Sequence, residues 1–376
     1  MSLPETILQF GAGNFLRAFA DLFIAEANRG DDPPGKIVVV QSTGIERAEA
    51  INRAGGRYHV AVRGVQDGEV VDETVVVDSI SRALHAGTQW DEVLAFASTL
   101  ELRWILSNTT EAGFTLDDAD AVRGDDAPVS FPAKLLAVLL ARYEAGQAGV
   151  IVLPCELIEN NAARLLELVK QQAARWSVED AALAWITDEC RWLNNLVDRI
   201  VPGTPRLHYL LAEDPLLIAA EPFAFWAIED PRGCGFEHPA ITATDDISSY
   251  YLRKVRILNG AHSALVCRAL PLGIETVREA VEHPEVGPWL EKLLFTEIVP
   301  VLEGRCEDPA GFARATLDRF RNPFFEHRLS AIALNHDAKV AVRLQPTLAD
   351  YRERFGREPE LLSDVLSGVA VVAGGS

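Results

Sequence analysis

The 376-residue sequence has no apolar run approaching the roughly 18 residues of a membrane span, and its first residues, MSLPETILQF, carry neither a basic start nor a long apolar stretch. Both absences argue against export and insertion, and they predict a cytoplasmic protein with no membrane partner. Basic residues are also in short supply: 35 against 55 acidic, a formal net charge of −20, with no Lys/Arg block. No nucleic-acid partner is expected, because nothing forms a positive stripe to meet a phosphate backbone. An anionic small molecule would need a helix N-terminus or a few placed cations. Lysines number only six, so each one in an apolar setting is a candidate for function. The five cysteines, Cys155, Cys190, Cys234, Cys267 and Cys306, are odd in number and include no CxxC pair, which argues against a disulfide framework and a zinc site. No metal is expected, and Cys155 and Cys267, set in apolar runs, read as core thiols.

What is present is a chain that is 48% hydrophobic and long enough for two domains. Thr6 to Phe10 reads as a short buried strand, followed by a glycine turn and the amphipathic stretch NFLRAFADLFIAEANRG. KIVVVQS is a second strand, and the alternating segments on either side of Asp67-Gly68 predict a hairpin. Strands RWILSNTT and GVIVLPCE then alternate with helices at Trp90 to Ser98, FPAKLLAVLLARYEAG and NAARLLELVKQQAARW. Strand-helix-strand units of this kind predict an α/β, doubly wound, mostly parallel sheet of Rossmann type. Beyond about Asp245 nearly everything reads as helix. The expected division is residues 1–242, a dinucleotide-binding domain, and residues 243–376, an all-α domain, with Val201 to Asp245, which holds the strand-like FAFWAI, as the connection between the two.

FGAGNFLRAF places Gly11 and Gly13 between the first strand and the first helix, where a dinucleotide pyrophosphate rests on backbone N–H groups. The third glycine of GxGxxG is Leu16 here. Phe10, Gly11, Ala12, Gly13, Asn14 and Phe15 are therefore candidate cofactor residues, with Arg17 either facing the pyrophosphate or on the surface. The second strand ends in Gln41 and Ser42, where a ribose-binding acid is usual, so NAD and NADP both stay open. With no arginine immediately after the strand, NAD is the expected cofactor. Thr110 and Glu111, past the end of RWIL, lie at the carboxyl edge where such sheets bind ligands, or form an ordinary cap.

RKVRILNGAHSALVCRAL, from Arg253 to Leu270, holds Lys254, Asn259 and His262 in an oily segment. At about 100° per residue the three fall within one arc of a helix that reads as buried all round. Carbonyl reduction needs this set: a proton donor, and hydrogen-bond donors where an alkoxide develops. A lysine in a dry site, with its pKa lowered, can exchange the proton. The competing reading has Lys254 reaching solvent, Asn259-Gly260 ending the helix and His262 as a core residue.

The pattern of Lys254, Asn259, Gly260 and His262 resembles the signature of the mannitol dehydrogenase family, the polyol-specific long-chain dehydrogenases and reductases. QFGAGNFLRAF, NNLVDRIVP, AEPFAFWAIED and RFRNPFFEHRL resemble further family blocks in the same order. SNTTEAG, PCELIENN and FRNPFFEHRLSAIALN are similar to the branch that interconverts a keto-uronate (tagaturonate) and its aldonate (altronate) with NAD(H). The resemblance implies Lys254 as general acid/base, Asn259 as oxyanion donor and His262 as substrate ligand. It also implies substrate contacts at Asp198 and Lys339. Leu157 stands where mannitol dehydrogenases have the asparagine of a CDN segment, which leaves Asn161 as the candidate second donor. Tyr251 replaces the family glutamate three residues before the lysine. Fructuronate or mannitol as substrate, and a non-catalytic dinucleotide sensor, are the competing readings. A sugar acid or polyol is the expected partner, and oligomeric state is not legible.

Overall fold

The computed structural model describes residues 3–109 and 113–373. Twelve strands are present among them: β1 (Glu5–Phe10), β2 (Lys36–Gln41), β3 (Tyr58–Gln66), β4 (Glu69–Val77), β5 (Ile80–His85), β6 (Trp104–Ser107), β7 (Ile151–Pro154), β8 (Arg191–Trp192), β9 (Asn195–Asp198), β10 (Ile218–Ala220), β11 (Phe225–Glu229) and β12 (Ile241–Thr244). Six of them form one sheet in the order β5-β2-β1-β6-β7-β8, with every pairing parallel. Parallel strands covered on both faces need continuous apolar runs, and Ile37 to Val40 and Ile105 to Leu106 are buried accordingly. Alternate residues of the strands, Leu8, Phe10, Val38, Val40 and Ile105, pack with the helices Trp90–Ala97, Phe131–Glu144 and Asn161–Arg175. The strand order reverses beside β1, which makes the carboxyl ends of β1 and β6 the crevice where such sheets take ligands.

The hairpin at Asp67-Gly68 forms as expected, with φ of 53° and 80°, as a two-residue hairpin turn with positive φ at both positions requires. Several expectations need revision. The helix read continuously from Asn14 is broken into Asn14–Arg17 and Ala20–Ala27 at Phe19, whose φ and ψ are −131° and −94°. The helix Glu46–Arg53 was not anticipated, because ERAEAINR buries only Ala48 and Ile51. The segment taken as a connection supplies β10, β11 and β12, and the last two join β9 in a three-stranded sheet. β11 falls on the strand-like FAFWAI, whereas β10 and β12, of three and four residues, are too short for their periodicity to register.

The chain forms two compact units that are not divided at a single point. The first comprises residues 1–61, 74–220 and 224–247, and the second residues 62–73, 221–223 and 248–376. The hairpin tip thus belongs with the helices, so the second unit is not purely α. Its core gathers Ile257, Leu265, Leu290, Leu294, Leu302 and Leu344, all fully buried. The helix Gly260–Ala269 runs through this core with Gly260 to Val266 all buried. No described helix is long and apolar enough to cross a membrane.

Candidate active site

The glycine turn of the first unit follows β1 directly. Gly11 has a φ of 112°, and a Cβ there would stand 2.9 Å from the carbonyl oxygen of Asn108, at the end of β6. Only glycine lets the turn close against that strand. Gly13 has nothing within 4 Å of its Cβ position, so the space before the first helical turn is open to close approach. The N–H groups of that turn lack intrahelical acceptors by geometry. These features fit a dinucleotide pyrophosphate.

The side chains around the turn divide into two sets. Asn14 is exposed and Phe15 is half-buried, stacked on Phe19 at 4.8 Å. Phe10 and Ala12 are buried, Phe10 against Phe131 at 5.3 Å, so Phe10 supports the turn from the core and offers no side-chain contact to a ligand. Arg17 is corrected as well: it is 2% exposed, and its Nη1 donates to Leu216 O at 2.6 Å and its Nη2 to Asn14 Oδ1 at 3.0 Å. It braces the turn from inside, and burial lowers its pKa to about 10. Beneath it Tyr58 Oη donates to Arg17 O at 2.7 Å and lies 3.3 Å from Asp21 Oδ2. Burial raises the Asp21 pKa to about 7. Thr110 and Glu111 lie outside the described residues.

Three residues near this edge were not anticipated. Glu156, next to Leu157, accepts from Thr109 N at 2.8 Å, Thr109 Oγ1 at 3.1 Å and Ser107 Oγ at 3.0 Å. It thereby ties down the loop after β6, and burial pushes its pKa up. Glu46 turns its carboxylate over Gly44, with Oε2 2.6 Å from that residue's Cβ position, and so brings an acid to the loop after β2. Arg47 donates to Asn14 Oδ1 at 3.4 Å, which places a cation at the turn although none follows the strand directly. A single charged residue at a helix start carries no sequence signal that separates it from a solvated one.

Asn161 has no capacity left for an oxyanion. Its Nδ2 has three acceptors for its two N–H groups, Pro154 O, Glu156 O and Asn195 O at 2.7, 3.2 and 3.1 Å, its Oδ1 accepts from Ala162 N and Asn195 N, and it is 1% exposed. The expected substrate role is corrected to that of a scaffold. Asp198, at the end of β9, is also buried, while Leu157 is 64% exposed. Cys155 is fully buried, and burial raises its thiol pKa, as for a core thiol.

In the second unit, the helix begun at Ser248 passes through a π-helical turn, Lys254–Asn259, before continuing as Gly260–Ala269. In a regular α-helix Lys254 and Asn259 stand about 140° apart, at 100° per residue. A wider turn closed by i→i+5 bonds brings residues five apart round to the same side. The helix is also not buried all round: Val255 to Leu258 are buried, while Lys254 and Asn259 are half-exposed. His262 is buried, its ring 4.3 Å from Phe320 and 4.8 Å, edge-on, from His327, and among the described residues its Nε2 has no hydrogen-bond partner. Burial first, then neighbouring His327 and the cations Arg319, Arg343 and Lys339, hold its pKa well below the usual range. It is therefore a neutral hydrogen-bonding ring at working pH. Lys339 is half-buried and donates from Nζ to Ile332 O at 2.8 Å.

Residues 5–239 match the mannitol dehydrogenase Rossmann domain, and residues 246–373 the mannitol dehydrogenase C-terminal domain. The chain belongs to the mannitol dehydrogenase family. It is 42% identical to the altronate oxidoreductase of Bacillus subtilis (strain 168), over 96% of this chain and 78% of that one. Identity to the altronate oxidoreductase of Pectobacterium carotovorum subsp. carotovorum (strain PC1) is 38%, over 97% and 78%. In fold it is similar to D-sorbitol dehydrogenase in its substrate-free form, with a TM-score of 0.85, 22% identity and coverage of 100% of this chain and 81% of that one. A Pseudomonas fluorescens mannitol 2-dehydrogenase, in a ternary complex with NAD and D-mannitol, superposes with a TM-score of 0.76 at 23% identity, covering 99% and 80%. This member of the family is thus an oxidoreductase with a Rossmann-type unit, and its Lys254, Asn259 and His262 lie in the C-terminal domain.

Proposed function

We propose that this chain is an NAD-dependent altronate oxidoreductase, interconverting altronate and the keto-uronate tagaturonate, with Lys254 as general acid/base. The π-helical turn carries the reading, because it sets Lys254 and Asn259 on one side of a half-open helix segment while the residues between them stay in the core. π-turns of this kind recur at functional sites. The altronate oxidoreductases at 38% and 42% identity support the substrate class.

The open space at Gly13, with the N–H groups of Asn14 and Phe15, would hold the dinucleotide pyrophosphate, and Glu46 supplies the carboxylate for the ribose that the end of β2 lacks. The dinucleotide, when bound, supplies or accepts the hydride. Lys254 gives a proton to the oxygen of the reduced carbonyl and takes it back in the oxidative direction. The Asn259 amide donates to the same oxygen as negative charge develops there. Neutral His262 orients the substrate through its ring nitrogen. Leu157 has no donor to add, and Asn161 has none free, so Asn259 bears this part of the chemistry alone among the residues considered for it.

The test is a panel of tagaturonate, fructuronate and fructose as oxidants of NADH and of NADPH, with altronate and mannitol in the reverse direction. The expected result is the highest kcat/KM with tagaturonate and NADH. A higher value for fructose and mannitol would move the chain to polyol chemistry, and tight NADH binding without turnover would make it a sensor.

A further inference from the structure

This inference rests on the keto-uronate reading and asks how a chain with net charge −20 holds a negatively charged substrate. A keto-uronate differs from a neutral ketose in having a carboxylate, and a site that separates the two must offer a cation with no acid already on it. In the helical unit, Arg319, Arg343, Lys339 and His327 all lie near enough to His262 to act on its charge. Arg319 is already matched: its Nε and Nη2 donate to the two oxygens of Glu221 at 3.0 and 2.8 Å, and the pair is buried. His327 is kept towards its neutral form by burial and by Arg319.

Arg343 is different. Its Nη1 donates to the hydroxyl of Ser263, the residue after His262, at 3.2 Å. Among the described residues no carboxylate pairs with it, and the acidic group that acts on it is the phenol of Tyr251, three residues before Lys254. It ends the helix His336–Arg343, on the same face as Lys339 one turn earlier, and Lys339 likewise meets a carbonyl and no acid. This helix end packs against the Lys254–His262 segment: the Cβ position of Gly260 lies 3.4 Å from Leu344 Cδ2 and 3.6 Å from Arg343 O, ordinary contact distances.

We propose that Arg343 receives the carboxylate of the substrate, with Lys339 beside it, and so sets the preference of this chain for a sugar acid over a neutral sugar. The planar guanidinium suits a carboxylate because two parallel N–H groups meet two oxygens. Burial lowers the Arg343 pKa, which reflects the cost of holding the cation partly out of water without a counter-ion. A bound carboxylate offsets that cost.

The experiment measures KM and kcat for tagaturonate and for tagatose, its neutral counterpart, at saturating NADH in the wild type, Arg343→Ala, Arg343→Gln and Arg343→Lys. Glutamine keeps a partner for Ser263 without the charge, and a melting curve on each variant identifies any that fails to fold. Losing a charge-assisted pair raises KM for tagaturonate about 10- to 100-fold in the Ala and Gln variants. In the same variants kcat stays within about threefold and KM for tagatose within about threefold, and lysine restores part of the loss. Equal losses on both substrates, or no loss on tagaturonate in a folded variant, would overturn the assignment while leaving the keto-uronate reading intact. A wild type that does not reduce tagaturonate removes that reading and this inference together.

Discussion

Under the glycine turn of the first unit, Arg17 ends on a backbone carbonyl and on Asn14, and nearby Asn161 commits its whole amide to the loop around it. In the second unit, among the described residues, His262 keeps Nε2 without a partner, and Arg343, on the neighbouring helix, meets a hydroxyl where an acid would be expected. The first region does retain buried atoms without partners, Gln9 Oε1, Arg17 Nε and Asp21 Oδ1, but its charges oppose each other, Arg17 acting on Asp21. In the second, Arg319 is paired with Glu221, but Arg343 and Lys339 meet a hydroxyl and a carbonyl and, among the described residues, no carboxylate. Polar groups that complete each other build a scaffold, and polar groups left incomplete mark where a ligand does the completing.

That contrast can be broken by substitution. Asn259→Ala should lower kcat about 10²- to 10³-fold, as for loss of an oxyanion donor, with NADH affinity unchanged by fluorescence titration. Asp21→Asn should act on stability alone. The folded pKa of Asp21, about 7, lies above the ordinary aspartate value of 3.8, so between these the folded chain holds a proton that the unfolded chain has released. Its contribution is complete below about pH 4 and is lost as pH rises through 7. Denaturant melts should show wild-type stability falling by a few kcal/mol over that window and a flatter profile in the variant. Asn161→Ala should cost about 1–3 kcal/mol in the same melts, because the buried amide's hydrogen bonds to the loop and to the backbone of Asn195 and Ala162 are lost, while KM in folded protein stays within twofold. A large rise in KM would return Asn161 to the substrate. Gly11→Ala should cost about 1–3 kcal/mol through strain at positive φ and contact with Asn108 O, and should weaken NADH binding.

The parallel sheet was legible because apolar strands alternate with amphipathic helices over long stretches, and the hairpin because Asp67-Gly68 tolerates positive φ. Lys254, Asn259 and His262 stood out because polar groups in an oily helix need a reason. The π-turn that draws them closer was not legible: its i→i+5 bonds leave the hydrophobic pattern unchanged, and an α-helical wheel only spreads Lys254 and Asn259 over an arc of about 140°. Arg17 and Arg343 were misread or missed for one reason, that the direction of a long cationic side chain depends on which carbonyl or hydroxyl tertiary packing brings to its tip. The interleaved division into units escaped because residues 62–73 join the helices through space and not along the chain.

The central claim is that the proton is handled by the second unit and the dinucleotide by the first. Its most direct test is Lys254→Ala, assayed with tagaturonate across pH 6 to 10 and titrated with NADH. The account predicts a kcat reduced about 10²- to 10⁴-fold with the NADH dissociation constant within about twofold of wild type. A variant that turns over at the wild-type rate, or one that loses NADH binding and activity in parallel, would contradict it.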